Sequence, residues 1–162
     1  MQKVSELINK PIVSAETGER IGKVSDVLLD LQARQVIGLV IAGGVFSSEQ
    51  VLPYADVQTL GKDAVVARSG NGVVGRKAWR RQAVSTTRAT ALNRRRVLTT
   101  GGRALGEIDD LRIDDAGAVE AFEVTSSKLG GLRHKRSIVP HTSGVTIGDD
   151  AVLVPDEAAS AQ

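Results

Sequence analysis

Between Arg20 and Asp30 the chain reads RIGKVSDVLLD, with its apolar residues at Ile21, Val24, Val27 and Leu29. On one face of a strand such residues recur at every second position. Here the parity changes between Val24 and Val27. The stretch GEIDDLRID, Gly106 to Asp114, changes parity in the same way between Ile108 and Leu111. A β-bulge near Asp26 and another near Asp110 account for both shifts, and bulges add the curvature that a small barrel needs. Gly22 and the β-branched residues weigh against a short helix.

The two stretches are copies. Gly22 matches Gly106, Val24 matches Ile108, Asp26 matches Asp110, Leu29 matches Ile113 and Asp30 matches Asp114, each 84 residues on. That spacing marks a duplicated small domain rather than a solenoid unit of ~20–50 residues. Further pairs follow. VIGLVIA (Val36–Ala42) corresponds to Val119–Val124, Val51-Leu52-Pro53 to Ile138-Val139-Pro140, and Asp63–Val66 to Asp150–Leu153. The spacing grows from 83 at Val36/Val119 to 87 at Val51/Ile138, which places a longer, glycine-rich and basic loop, Ser126 to Arg136, in the second copy. Near the start of each copy, Asn9-Lys10 aligns with Asn93-Arg94, and Val13 with Val97. The pattern predicts a mainly β chain of two tandem, six-stranded barrels. Val24, Leu29, Leu39, Ile41 and Val65 should fill the first core, and Ile108, Ile113, Phe122, Val124 and Val152 the second.

One strand breaks the rule of alternation. Val36, Ile37, Leu39, Val40 and Ile41 leave Gly38 as the one small position, whereas the second copy interrupts the same run with Glu120 and Glu123. A strand between a core and solvent alternates. The first copy therefore needs a second covering layer, either the second barrel or another chain; the glycine-rich linker leaves the second barrel free, so we expect a homodimer with Val36, Ile37 and Val40 at or near the contact. Glu120 and Glu123 predict a more exposed strand in the second copy.

Composition changes the picture in three ways. Aromatics are only 2% of the 162 residues, so the cores must be built from Val, Leu, Ile and Ala. The absence of cysteine excludes disulfides and thiolate chemistry and leaves zinc without its usual ligands. No run is long enough for a signal peptide or a membrane span, which predicts a cytoplasmic protein. The net charge of +2 conceals an uneven distribution: eight basic residues and no acid lie between Arg76 and Arg96. Residues 1–69 form the first copy, 70–89 a glycine-rich and then basic linker, 90–155 the second copy, and 156–162 a tail expected to be disordered. Arg76 to Ala89 could form a helix of about three turns, with Trp79 and Ala83 as its weak apolar face.

Each half resembles the PRC-barrel family. The marks are TGERIGKVSDVLLD after a turn, an apolar third strand ending in Gly43-Gly44, the V-L-P strand, and the closing GKDAVV. The second copy carries His141-Thr142 where the first has Tyr54-Ala55. Such barrels cap the electron-transfer subunits in photosynthetic reaction-centre H subunits, and bind a ribosomal protein in a small-subunit maturation factor. The resemblance implies a docking surface with no active site carried over. The membrane helix of the first and the additional N-terminal domain of the second have no counterpart here.

The remaining motifs support no enzyme. Gly70-Asn71-Gly72-Val73-Val74-Gly75 spells GxGxxG, yet it lacks a parallel βαβ unit and an acid ~20 residues on, so we read a flexible domain exit. His134 and His141 have no metal-ligand spacing and are expected at the surface. Asp26, Asp30, Asp110 and Asp114 are expected in turns and at solvated edges, with no nucleophile beside them. The candidate partner-binding residues are Arg76, Lys77, Trp79, Arg80, Arg81, Arg94, Arg95 and Arg96. Arginine pairs with carboxylate or phosphate in bidentate geometry. The plainest reading of this run is a solvated tether attracted to the acidic faces of its own barrels; as a binding surface it suits an acidic protein partner first, then RNA or DNA as the alternative, then anionic lipid. No catalytic residue, cofactor or metal is expected.

Overall fold

The computed structural model of the chain describes residues 1–43, 48–82, 85–127 and 134–160. The chain opens with β1 (Gln2–Lys3) and α1 (Val4–Leu7). Then come β2 (Pro11–Ser14), β3 (Arg20–Asp30), β4 (Gln35–Ile41), β5 (Gln50–Pro53), β6 (Val57–Leu60) and β7 (Val65–Ala67). The connection contributes β8 (Val74–Gly75), α2 (Arg76–Gln82) and β9 (Thr87–Arg88). The second half repeats the plan with β10 (Arg96–Thr99), β11 (Ala104–Ile113), β12 (Val119–Ser127), β13 (His134–Pro140), β14 (Thr146–Ile147) and β15 (Ala151–Val154), before α3 (Asp156–Ser160).

The first six-stranded barrel has the order β6-β7-β2-β3-β4-β5 and the second has β14-β15-β10-β11-β12-β13, the same order copy for copy. All pairs are antiparallel except β2/β7 and β10/β15. The register slips between Val24 and Asp26 against β4, and between Ile108 and Asp110 against β12, so the two expected bulges are present at equivalent places. All ten residues expected in the cores are buried. Those cores run together, since one apolar cluster extends from Val4 and Leu7 through Leu29, Leu39 and Leu52 to Ile108, Phe122 and Val152.

The halves are joined by a reciprocal exchange. β1 does not pair within its own barrel but adds to β11 of the second, with Gln2 opposite Ile113 and Lys3 opposite Arg112. β9, which leads into the second barrel, adds instead to β3 of the first, with Leu28 opposite Arg88 and Leu29 opposite Thr87. A helix as short as α1 has no stability in isolation. It forms because Val4 and Leu7 are buried in the common core, each contributing ~1.5–3 kcal/mol.

The bulges supply the polar half of the exchange. A bulge re-aims a side chain, and here it turns Asp26 and Asp110 inward, leaving them 4% and 8% exposed. This corrects the expectation of solvated carboxylates. Asp110 accepts a hydrogen bond from the Ser5 backbone N–H at 3.1 Å and another from the Ser5 hydroxyl. Asp26 accepts from the Thr90 backbone N–H at 3.3 Å and from the Thr90 hydroxyl. Each also accepts from the backbone N–H of the residue that follows it, Val27 or Leu111, at 2.8 Å. Asp30 and Asp114 do lie in turns, where their Oδ1 atoms accept from Gln32 and Ala33, and from Ala116 and Ala118.

A second reciprocal contact joins the two β-turns. Val36 N–H donates to Gly117 O at 2.8 Å, and Val119 N–H donates to Arg34 O at 2.9 Å. Gly117 and Arg34 both have positive φ, +81° and +54°. A Cβ at Gly117 would lie 2.7 Å from Cζ of Tyr54, so glycine is required on that side.

Four sequence expectations need correction. Left-handed backbone falls on Asn9 and Arg94, whereas the sequence alignment paired Asn9 with Asn93. Equivalently, Ile12 and Val97 both face the glycine of the next strand, Gly22 and Gly106, so the alignment before β3 is one residue out. The tail is not wholly without structure: α3 forms where Asp156 accepts from Gly101 N–H at 3.1 Å and Ala158 packs on the core. The expected linker helix does not run to Ala89: Arg76–Gln82 is helical, residues 83–84, with the expected face residue Ala83, lie outside the described residues, and Thr87–Arg88 is strand. The GxGxxG segment is a 3₁₀ turn, Gly70–Gly72, running into β8 rather than a free exit. Of the long loop in the second copy, residues 128–133 lie outside the described residues; the flanking strands pair as far as Ser127 and His134.

The exchange predicts coupling between residues over 100 positions apart in sequence. Asp110→Ala should lower unfolding stability by about 2–3 kcal/mol, because it strands buried donors. In a double-mutant cycle with Ser5→Ala, measured by urea denaturation, the coupling should be about 1–2 kcal/mol. A coupling near zero would refute the exchange.

Candidate functional site

The outward faces of β3, β4 and β5 bring Leu28, Val40 and Val51 together as a second, smaller apolar cluster. This is the layer that the unbroken Val36–Ile41 run implied. Its cover comes from within the chain. After β7 the backbone turns through Gly70–Gly72, and β8 adds to β5, with Val51 opposite Val74 and Gln50 opposite Gly75. That pairing swings α2 across the sheet, and Trp79 and Val74 close over Leu28, Val40 and Val51, with Ile37 at the edge.

Gly38 explains the fit. A Cβ at this position would stand 2.9 Å from Val51 Cγ1 and 3.2 Å from Cη2 of Trp79. The glycine is a seat for the indole. The Trp79 Nε1–H is buried without an acceptor among the described residues, a cost of about 1–3 kcal/mol that the apolar contact must offset.

Between the helix and the sheet lies a half-open cleft of about 300 Å³, lined by Leu28, Val40, Val51, Trp79 and the rim residues Arg76, Arg80, Thr86, Arg88 and Glu49. Arg88 is already committed. It pairs with Glu49 and lies 3.8 Å from Asp26. The Arg88 hydrogen bond holds the Glu49 carboxyl below its usual range, and the same bond raises Arg88.

The sequence-predicted basic residues are divided among different elements. Arg76, Lys77, Trp79, Arg80 and Arg81 lie on α2, and its four cationic residues are exposed. Arg94 occupies the left-handed position before β10, and Arg96 opens β10 opposite Glu107. Arg95 is used internally, donating to Gly148 O at 2.9 Å and Ala91 O at 3.1 Å. Arg94 and Arg96 line a separate depression with Glu107 and Asp109. The structure therefore does not bring the run from Arg76 to Arg96 into the single cleft under α2.

The self-association candidates are placed differently from one another. Val36 is in the common core, Val40 is buried under α2, and Ile37 is half-buried. The apolar excess that called for a second chain is met by the linker.

The equivalent face of the second barrel is polar. Arg112, Glu123 and Ile138 stand where Leu28, Val40 and Val51 stand in the first. Glu123 is 6% exposed, against the expectation of a solvated strand. It accepts from Arg112 Nη2 at 2.8 Å and pairs with Lys3 at 3.4 Å. Burial pushes the carboxyl up, and the Arg112 hydrogen bonds with the Lys3 charge outweigh it, leaving it below the usual range.

His141 also departs from expectation. It is 7% exposed, its ring stacks on Phe122 with centroids 4.8 Å apart, and among the described residues neither ring nitrogen has a partner of good hydrogen-bond geometry. Burial, reinforced by Arg34, pushes its pKa down. The side chain of His134 lies outside the described residues. Among the described residues, no cluster of His, Cys, Asp and Glu could hold a metal ion, and no helix is long and apolar enough to cross a membrane.

The family model described as PRC-barrel domain matches this chain twice, over residues 1–74 and 86–159. No curated protein matches the chain.

Two measurements follow. The unfolded chain protonates His141 near its ordinary 6.5, whereas the folded chain resists protonation. Stability should be flat above that value and fall as pH drops through it. His141→Phe should abolish the slope in urea midpoint between about pH 7.5 and 5.5; an unchanged slope would assign it elsewhere. For the cleft, Gly38→Val should unseat the sole tryptophan and red-shift its emission, while a variant with unshifted emission would contradict the close approach.

Proposed function

The chain belongs to the PRC-barrel family through both of its halves, and from that premise we propose that it is a non-enzymatic, cytoplasmic interaction module. It docks a protein partner on the outer face of its first barrel, where α2 and the arginine-rimmed cleft lie. The observation that carries this reading is the difference between equivalent faces. Duplicated barrels begin alike, and the fold tolerates a polar outer face, as Arg112 and Glu123 demonstrate. In the first copy that face instead carries an apolar cluster, an added helix and exposed cations. Concave apolar surface with a few placed charges is the usual form of a recognition site. Fold alone assigns no function; the argument rests on this one-sided elaboration.

Nucleic-acid binding is less well supported. A base would stack on an exposed aromatic face, and the Trp79 indole is seated on Gly38.

The test is photo-cross-linking in the native host, with a benzophenone amino acid in place of Arg81. We expect a discrete protein adduct that disappears when Arg76 and Arg80 are both replaced by Glu and persists in Arg103→Glu. Absence of an adduct, or one indifferent to the double replacement, would remove the proposal. An RNA adduct would establish the alternative, and an adduct of the chain with itself would make the partner a second copy.

A further inference from the structure

The cleft also constrains what its partner must look like, given the docking reading above. We infer that it takes a short acidic segment of the partner protein that carries one bulky apolar side chain flanked by carboxylates.

Three observations lead there. The first is size. About 300 Å³ is the lower end of the range for ligand sites, which run to ~1,000 Å³. That is room for a single side-chain anchor, not for a dinucleotide or a large cofactor. The second is lining. Leu28, Val40, Val51 and Trp79, drawn from three strands and a helix, supply the apolar floor of a cleft whose other lining residues are polar or charged. Buried anchors of aromatic or aliphatic character dominate the energetics of such contacts.

The third is charge. Within the rim, Arg88 is neutralised by Glu49 and Asp26. Arg76 and Arg80 are exposed and are not seen in a salt bridge among the described residues, although the charge of Arg76 reaches Glu49 and helps to lower its carboxyl. They are four positions apart, so they share one face of α2 about 5–6 Å apart at Cβ. Two guanidiniums at that spacing match carboxylates on either side of an anchor, each able to form a bidentate pair. Lys77 and Arg81 extend the positive field beyond the cleft. A lone small anion would satisfy one arginine and leave the rest. A segment with several acids satisfies the group.

The experiment uses the full chain and three probes. One is a fluorescein-labelled hexapeptide of five acidic residues around a phenylalanine. The second replaces that phenylalanine with alanine. The third is a short poly-uridine of matched charge, with phosphatidylserine vesicles run in parallel. Fluorescence anisotropy should show the phenylalanine peptide binding at least about tenfold more tightly than its alanine control, a difference of about 1.4 kcal/mol. Binding should fall at least about tenfold in the Arg76→Glu, Arg80→Glu double variant, whose altered residues are exposed and whose fold can be checked by circular dichroism. The inference is overturned by equal binding of both peptides, by no binding at about 1 mM, or by tighter binding of poly-uridine or vesicles. If the host cross-link captures a protein while the peptides fail, the docking reading stands and the acidic-anchor chemistry falls.

Discussion

A carboxylate placed inside a protein must find donors, and the two-barrel arrangement depends on how that demand is met at Asp26 and Asp110. Each is buried by a bulge in its own barrel. Each is satisfied by a backbone N–H and a hydroxyl from the segment that introduces the other barrel. An uncompensated buried carboxylate would cost several kcal/mol, a large part of what a domain of about 70 residues possesses. The exchange therefore does more than tether the halves. It makes each half the condition for the other's polar balance, and the single apolar cluster running through both is its consequence.

Duplication lets the same position be compared in two settings. Val40 and Glu123 lie at equivalent points on β4 and β12. One is closed by Trp79 and the other by Arg112 and Lys3. Both solutions exclude water from the same patch of sheet. The ion-paired solution leaves a surface whose cations share a carboxylate. The apolar solution requires a covering element, and the covering element brings its own cations. The cleft with its unneutralised arginines exists because the first barrel took the second route.

Much of the fold was legible because it rests on repeated patterns. The parity shifts located both bulges, and the recurrence of Gly, Asp and apolar positions located both barrels. What the sequence concealed falls into three kinds. β1 and β9 are two residues each, too short for any period, and their partners lie in the wrong half by chain order. Glu123 and the two bulge aspartates are charged residues whose burial depends on partners that cannot be seen locally. The repeated asparagine at Asn9 and Asn93 suggested an alignment one residue out, since asparagine is the better left-handed residue and Arg94 holds the position. At the cleft, the break in alternation at Val36–Ile41 correctly demanded a cover. Trp79, read as a lone aromatic among arginines, was that cover, and Gly38 was the signal that could have revealed it.

The exchange also sets an order of events during synthesis. Chains emerge from the ribosome N-terminal end first, and domains ordinarily fold as they appear. The first barrel cannot do so completely. Its buried Asp26 waits for Thr90, and the edge it offers along β3 waits for β9, both made after its last strand, β7. Meanwhile β1 and α1, made before either barrel, lack their strand partner until β11 exists. The segments that introduce the two barrels are thus completed together, and the tandem protein finishes as one unit rather than as two beads on a string.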